Sequence, residues 1–137
     1  MRLQDLEQFQ TLAELQQYII DKGEAKNKTE ARAKAAALVP KEAKFQSAIL
    51  QYLKTAPGVM AWKDQAGLYQ TQGVPDILAI KDGLFLGFEV KRPFFGELSA
   101  IQKSFHERIR AAGGRVYVVS YVSQVKAILE NIEAGRD

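Results

Sequence analysis

The sequence contains no cysteine and only one histidine, His106. Without cysteine the chain cannot form a disulfide framework, a thiolate zinc site, an iron–sulfur cluster or a cysteine nucleophile. A lone histidine also excludes a metal site built from several histidines of one chain. No apolar run approaches the roughly 20 residues that span a bilayer, and the polar start of the chain, MRLQDLEQFQ, is not that of a secretory signal. We therefore expect a cytoplasmic protein with no membrane partner.

The composition is that of an ordinary globular domain. The chain has 137 residues, of which 47% are hydrophobic and 26% are charged, and roughly 100–150 residues is the commonest domain size. The charge is uneven, because residues 1–21 carry one basic and four acidic side chains, whereas the remainder carries 18 and 12. A positive balance on the larger part is compatible with a polyanionic partner.

Hydrophobic spacing, capping residues and turn residues predict an alternation of helices and strands. The expected helices cover residues 3–20, 28–38, 40–55, the stretch between Ser99 and Gly113, and residues 122–133. The expected strands cover residues 59–64, 76–81, 84–91 and 115–120, and a polar loop that contains glycine leads to Gly73. We interpret residues 1–38 as an N-terminal helical extension and residues 39–137 as the main domain.

The predicted order of elements from residue 40 onward is α-β-β-β-α-β-α. The strands on either side of Asp82-Gly83 carry apolar side chains on both faces. A sheet that is apolar on both faces needs helices on both faces. The sequence therefore predicts an α/β fold with three layers, α/β/α.

The Asp82-Gly83 pair is a favoured two-residue hairpin turn. If the two strands pair without a bulge, this turn places Asp76 directly opposite Glu89, and β-carbons in such pairs are about 4.5–5.5 Å apart. Lys91 follows Glu89 by two residues and projects from the same face of its strand. Two carboxylates so placed repel each other unless something lies between them.

This arrangement has two interpretations. A divalent cation between the carboxylates would turn the repulsion into ligation, and hard oxygen ligands suit Mg²⁺ or Mn²⁺. Lys91 could then orient or deprotonate a water molecule, or neutralise charge that develops on a phosphate. In the alternative, Asp76 caps a strand and Glu89 forms a salt bridge with Lys91.

Three more polar residues lie on the flanking helices. Glu42 precedes Phe45 by three residues, so it either points toward the sheet or simply occupies a first helical turn that favours acids. Gln102 is spaced from Ser99 as in a capping box, which explains it without chemistry. His106 lies one turn after Gln102, and a lone histidine is more often a surface residue or a group that supports others than a catalytic one.

At this point the ordered motifs resemble a known family, the VRR-NUC (virus-type replication–repair nuclease) branch of the PD-(D/E)XK nuclease superfamily. The pattern of that branch is Gly-x-Pro-Asp, then Glu-x-Lys, then Ser-x-x-Gln. The matching residues here are Gly73-Val74-Pro75-Asp76, Glu89-Val90-Lys91, and Leu98-Ser99 with Gln102. The resemblance extends to Glu42 with Gln46, to Trp62-Lys63 and to Val116–Val119, and so covers roughly residues 40–122.

The resemblance implies a restriction-endonuclease-like fold with a mixed sheet and a DNA phosphodiesterase that depends on Mg²⁺ or Mn²⁺. Its metal ligands would be Asp76, Glu89, the backbone carbonyl of Val90 and, through water, Glu42. Lys91 would be the catalytic lysine, and the family has a glutamine at the position of Gln102 that reaches the active site. Members that stand alone tend to form symmetric homodimers, and the family suggests a bacterial or phage-infected cell.

The expected contacts with DNA lie on the elements that flank this site. A helix N-terminus has free amides that can hold a phosphate, and basic side chains neutralise the backbone of the nucleic acid. The residues expected to contribute are Lys63, Gly73, Arg92, Ser99 and Lys103.

The function that we expect is therefore that of a divalent-metal-dependent DNA endonuclease. No residues are obvious readers of bases, so cleavage selective for branched, flapped or four-way-junction DNA is favoured over sequence-specific restriction. One alternative is a catalytically silent nuclease fold that only binds DNA. Another is a phosphohydrolase that acts on nucleotides, although the sequence shows no pocket for a base or ribose.

Overall fold

The computed structural model describes residues 1–65 and 71–135. A short 3-10 helix covers Leu3–Gln8, and the regular elements that follow are α1 (Leu12–Asp21), α2 (Lys28–Leu38), α3 (Glu42–Thr55), β1 (Val59–Lys63), β2 (Ile77–Lys81), β3 (Leu84–Val90), α4 (Ala100–Ala111), β4 (Arg115–Val119) and α5 (Val122–Glu133). The order of elements after residue 40 is the predicted one. Part of the predicted loop before Gly73, residues 66–70, lies outside the described residues, as do the last two residues of the predicted main domain.

The prediction of one continuous helix over residues 3–20 is wrong. The chain breaks into the 3-10 helix and α1, and Phe9 between them is extended. Thr11 caps α1 by accepting a hydrogen bond from the amide of Glu14, whose carboxylate in turn accepts one from the amide of Gln10. Apolar residues recur every three positions across the break, so periodicity alone did not reveal it. The spacing of Thr11 and Glu14 was the available signal.

The third predicted helix begins at Glu42 rather than at Pro40. Val39 is extended, which fits the restriction that a proline imposes on the residue before it, and Lys41 is extended as the N-cap of α3. Helix α2, which precedes Pro40, has the predicted bounds, and Asn27 caps it by accepting a hydrogen bond from the amide of Glu30. The short extended connection between α2 and α3 therefore replaces the predicted first helical turn.

The four strands form one mixed sheet in the order β1-β2-β3-β4. Strand β2 is antiparallel to both β1 and β3, whereas β4 is parallel to β3. Asp82 and Gly83 both have positive φ, 52° and 79°, as the two central residues of a type I′ turn require. The hairpin pairs without a bulge from Lys81↔Leu84 to Ile77↔Phe88, which confirms the predicted register.

Helices cover both faces of the sheet, as the three-layer prediction requires. One face packs against α3 and α5, and its residues Leu86, Phe88 and Val90 belong to the main apolar core. Side chains alternate along a strand, so Glu89 projects from the other face, where it meets His106 of α4. Helix α4 covers only part of this second face, because a row of large apolar side chains remains exposed beyond it: Met60, Ile80 and Phe85.

The N-terminal helices pack onto the rest of the chain. Their buried residues, from Leu6 to Ala35, belong to the same apolar cluster as Phe45 and Ile132. The boundary at residue 38 stays a prediction. Of the helices in the described part of the chain, none combines the length and the apolar character that crossing a membrane would need.

Candidate active site

The candidate site lies where the β2–β3 hairpin opens, at the end opposite its turn. Asp76 directly precedes β2, and its carboxylate Oδ2 accepts a hydrogen bond of 2.8 Å from the backbone amide of Val90. The carbonyl of Asp76 accepts another, of 2.9 Å, from the amide of Asp64 just beyond β1. Asp76 is therefore fixed by the backbones of both neighbouring strands, and its carboxylate lies beside Glu89.

Two close packing contacts position the loop that carries Asp76. Pro75 is buried against Gly87 of β3, where a β-carbon would lie 2.7 Å from the Pro75 Cγ. Gly73 has a φ of +90°, and a β-carbon there would lie 2.7 Å from the carbonyl oxygen of Ile101 in α4. Glycine at both positions lets the loop lie directly on the sheet and on α4. The Gly-x-Pro-Asp motif thus has a packing reason at Gly73 and Pro75 and a hydrogen-bonding reason at Asp76.

Glu89 is the most deeply buried acid of the site, with 1% of its surface exposed. Its pKa is raised to about 9, mainly by burial and in addition by the adjoining Asp76 carboxyl. The ammonium of Lys91 opposes this rise, and Glu42 adds to it. Without a cation, Glu89 is therefore protonated at neutral pH.

His106 is buried beside Glu89 rather than exposed. Its Nε2 atom lies 3.0 Å from the Glu89 Oε1 atom, and each side chain is 1% exposed. Burial, and then the positive charges of Arg110 and Lys91, lower the pKa of the imidazole, so the ring is neutral at pH 7. The sequence favoured a surface or supporting position, and only the supporting part of that interpretation agrees with the structure.

Lys91 is half-buried at the end of β3, close enough to Glu89 and His106 to affect the pKa of both. Its backbone is held by Val119, whose carbonyl accepts from the Lys91 amide, and by Ser120, whose hydroxyl donates to the Lys91 carbonyl at 2.6 Å. In the part of the chain that the structure describes, no ion pair joins Lys91 to Glu89. Of the alternative interpretation, the salt bridge is therefore wrong, whereas the capping of a strand by Asp76 is confirmed.

Two further acids lie around the pair. Glu42 is the first residue of α3 and is half-buried, with the Gln46 amide 3.4 Å from its Oε2 atom. Asp64 was missed by the sequence interpretation, and burial followed by the charge of Asp76 raises its pKa. The pairing of β1 with β2, a register that was not predicted from the sequence, brings Asp64 there, because Lys63 pairs with Ile77 and the amide of Asp64 donates to the carbonyl of Asp76.

The donor set suits a hard divalent cation. The Oε2 atom of Glu89 is buried and has no hydrogen-bond partner among the described residues, although the Asp76 carboxyl adjoins it. An orphaned carboxylate oxygen beside a second carboxylate is what a cation would satisfy. Within residues 1–65 and 71–135, no three acidic or histidine side chains are grouped as one metal site. The arrangement thus fits two direct side-chain ligands, with water and backbone oxygen for the remaining positions.

The residues predicted to contact DNA fall into different surroundings. Lys63 and Lys103 are exposed, and Ser99 caps α4, with both hydrogen bonds of the capping box to Gln102 present. The guanidinium of Arg92, in contrast, is engaged at the C-terminus of α2. It donates to the carbonyl oxygens of Ala36, Val39 and Pro40, the last at 3.0 Å.

Two solved structures share the fold of this chain. One, described as a VRR_NUC domain, has 29% sequence identity and a TM-score of 0.54, and the alignment covers 65% of this chain and 94% of that one. The other, described as a VRR_NUC domain protein, has 14% identity and a TM-score of 0.53, with 67% of this chain and 87% of that one covered. The second likeness concerns the fold alone. Scans against protein-family models and curated proteins find no match.

Proposed function

Because this chain belongs to the VRR-NUC family, we propose that it is a divalent-metal-dependent DNA endonuclease that hydrolyses phosphodiester bonds. The observation that carries the proposal is the buried carboxyl of Glu89 against that of Asp76, with one oxygen left without a partner. A buried pair of acids is costly unless a proton or a cation lies between them. A cation at this position would lie beside Lys91, at an edge of the sheet.

Each residue of the site has its own role in this proposal. Asp76 and Glu89 would hold the cation, and the Val90 carbonyl and, through water, Glu42 would complete its surroundings. When bound, Mg²⁺ or Mn²⁺ supplies Lewis acidity toward a phosphate oxygen. The Lys91 ammonium orients the attacking water or stabilises negative charge that develops on the phosphoryl group.

Gln102 and the basic residues position the DNA in this proposal. The side-chain oxygen of Gln102 accepts from the Ser99 amide at 2.9 Å, and its amide nitrogen is the group that we assign to the substrate. Lys63 and Lys103 neutralise phosphates on either side, and the start of α4 adds its amides. These contacts are made to the DNA backbone. The substrate class that we propose is therefore branched, flapped or four-way-junction DNA, recognised by its shape.

A homodimer is part of the proposal. A two-fold dimer presents two equivalent sites, which matches the symmetry of a four-way junction. Light scattering coupled to gel filtration measures the assembly directly: a mass of two chains supports the dimer, and a mass of one chain at micromolar concentration contradicts it. The bacterial or phage-infected cytoplasm stays a prediction from the resemblance.

The cleavage test compares the wild-type chain with Asp76→Ala on labelled linear, flapped and four-way-junction DNA, each with Mg²⁺, Mn²⁺ or EDTA. We expect cleavage by the wild type that needs both the metal and Asp76, and that is fastest on one of the branched substrates. Symmetric nicks at the junction would support a dimer that resolves it. Binding without cleavage by the wild type in either metal would overturn the proposal in favour of a DNA-binding module.

A further inference from the structure

We infer that His106 is a positioning residue for the metal site. It orients the carboxylate of Glu89 through its contact with the Oε1 atom. The inference rests on the proposed function and goes beyond it, because it assigns a task to the only histidine of the chain. Its basis is the contact of 3.0 Å between the Nε2 atom of His106 and the Oε1 atom of Glu89, with both side chains 1% exposed.

The contact settles which oxygen of Glu89 is available. Oε1 faces the imidazole, whereas Oε2 is the buried atom that lacks a partner among the described residues. A carboxylate held at one oxygen has its plane fixed, and the other oxygen then has one direction to face. His106 therefore leaves Oε2 for the cation and prevents Glu89 from turning away from Asp76.

The direction of the hydrogen bond follows from the chemistry of the pair. A carboxylate that ligates a cation carries no proton and is only an acceptor. The ring atom of His106 that faces this acceptor, at 3.0 Å, is Nε2. His106 must therefore carry a proton on Nε2 and donate it to Glu89. Groups that hold a metal ligand in this way commonly affect metal affinity by about 10- to 100-fold.

The fold places His106 for this task from a separate element. Glu89 lies on β3, and His106 lies on α4, one turn after the Ser99–Gln102 capping box that begins this helix. Gly73, in the loop that carries Asp76, packs on the same helix through the Ile101 carbonyl and the Phe105 β-carbon. One face of α4 therefore supports both acids.

The test measures Mn²⁺ affinity directly, by titration calorimetry and by the electron paramagnetic resonance signal of free Mn²⁺, on the full chain without DNA. His106→Gln retains an N–H donor at about the same reach, whereas His106→Leu fills similar space without a donor. We expect His106→Leu to weaken Mn²⁺ binding about 10- to 100-fold and His106→Gln to stay within a few-fold of wild type. Glu107→Gln, an exposed change on the same helix, serves as the matched control.

The possible results distinguish failure of the positioning role of His106 from failure of the proposed function. Wild-type affinity in a folded His106→Leu chain overturns the positioning role and leaves the metal site intact. Equal losses in His106→Leu and His106→Gln also overturn it, because they point to packing rather than to the donor. No Mn²⁺ binding by the wild type beyond that of Glu89→Gln overturns the proposed function itself. If His106→Leu does not fold, the comparison of His106→Gln with His106→Asn, whose amide is too short to reach Glu89, decides the question.

Discussion

The ring of Pro75 lies directly on Gly87, with no room for a side chain between them: a β-carbon at residue 87 would lie 2.7 Å from the Pro75 Cγ. Neither atom of that contact is the free end of a flexible side chain, so relief requires movement of the loop or of β3. The next residue after Pro75 is Asp76. This contact therefore links the packing of the sheet to the position of one proposed metal ligand.

Gly87→Ala should consequently destabilise the protein and impair cleavage together. We expect a loss of about 1–3 kcal/mol in the free energy of unfolding, as for other overpacked sites, measured by urea denaturation. Removing the Cγ atom with Pro75→Ala should relieve part of the clash, so the double variant should be more stable than the sum of the two single changes predicts. Strictly additive losses would show that the two residues do not interact in this way.

Glu89→Gln should stabilise the metal-free protein at alkaline pH while abolishing cleavage. The pKa of Glu89 is about 9 in the folded chain, against 4.5 for an ordinary glutamate. Between these values the folded state holds a proton that the unfolded chain has released, so stability must fall as pH rises through this window. The main cause of the raised pKa is the cost of burying the ionised carboxylate, and a neutral amide does not incur that cost.

Urea denaturation in EDTA at pH 5, 7 and 9 checks this prediction. The wild type should lose stability from pH 5 to pH 9, and Glu89→Gln should lose less, so that the variant is the more stable protein at pH 9. The exposed change Glu107→Gln should follow the wild type. Parallel curves for the wild type and Glu89→Gln would contradict the burial of an ionisable carboxyl at this position.

Lys91→Ala and Asp76→Ala should differ in what they remove. Loss of Asp76 takes away a ligand, so both Mn²⁺ affinity and cleavage should be lost. Loss of Lys91 should slow cleavage by about 100- to 10,000-fold, the usual range for a group that transfers a proton or stabilises charge, while Mn²⁺ affinity persists. Calorimetric titration and single-turnover cleavage measure the two quantities. Equal losses of metal affinity in both variants would argue against the role assigned to Lys91.

Arg92 and Lys103 were both predicted to bind DNA, and the structure separates them. The Arg92 guanidinium donates to the Ala36 carbonyl in α2 and to the Val39 and Pro40 carbonyls just after it, and it lies 4.7 Å from the centre of the Phe95 ring. We expect Arg92→Ala to lower the free energy of unfolding by about 2 kcal/mol or more, because hydrogen bonds to charged groups are lost. Lys103 is exposed, so Lys103→Ala should weaken DNA binding without affecting stability.

Arg92→Lys makes this comparison sharper, because it keeps the charge and loses the fork of donors. If the hydrogen bonds of Arg92 stabilise the C-terminus of α2, Arg92→Lys should be destabilised nearly as much as Arg92→Ala. Fluorescence anisotropy on labelled DNA at two salt concentrations measures the affinity of each variant for DNA. An Arg92→Ala chain of wild-type stability with weakened DNA binding would return Arg92 to the DNA-contacting set.

Local features of the sequence predicted most of the fold. The Asp82-Gly83 turn fixed the hairpin register because its two residues adopt positive φ, and the Ser99–Gln102 spacing marked the start of α4 because both capping hydrogen bonds form. These signals lie within a few residues of what they predict. The break after Gln8 had such a signal as well, in Thr11 and Glu14, but the continuous apolar spacing concealed it.

The partners of Arg92 and His106 could not be predicted in the same way. Arg92 bonds to carbonyls more than 50 positions earlier in the chain, and its charge alone suggested DNA. His106 meets Glu89 across 17 positions, and which face of α4 it occupies depends on how the helix sits on the sheet. Contacts between side chains of distant elements carry no periodic or capping signature, so they became visible only in the folded chain.

The central claim is that one divalent cation lies between the carboxyl groups of Asp76 and Glu89. Diffraction from crystals grown with saturating Mn²⁺, recorded near the manganese absorption edge, tests this most directly. We expect an anomalous peak between these two carboxyl groups in the wild type, and its loss in Asp76→Ala crystals grown in the same way. A well-ordered wild-type site with no peak between the two carboxyls, or with the manganese elsewhere in the molecule, would contradict it.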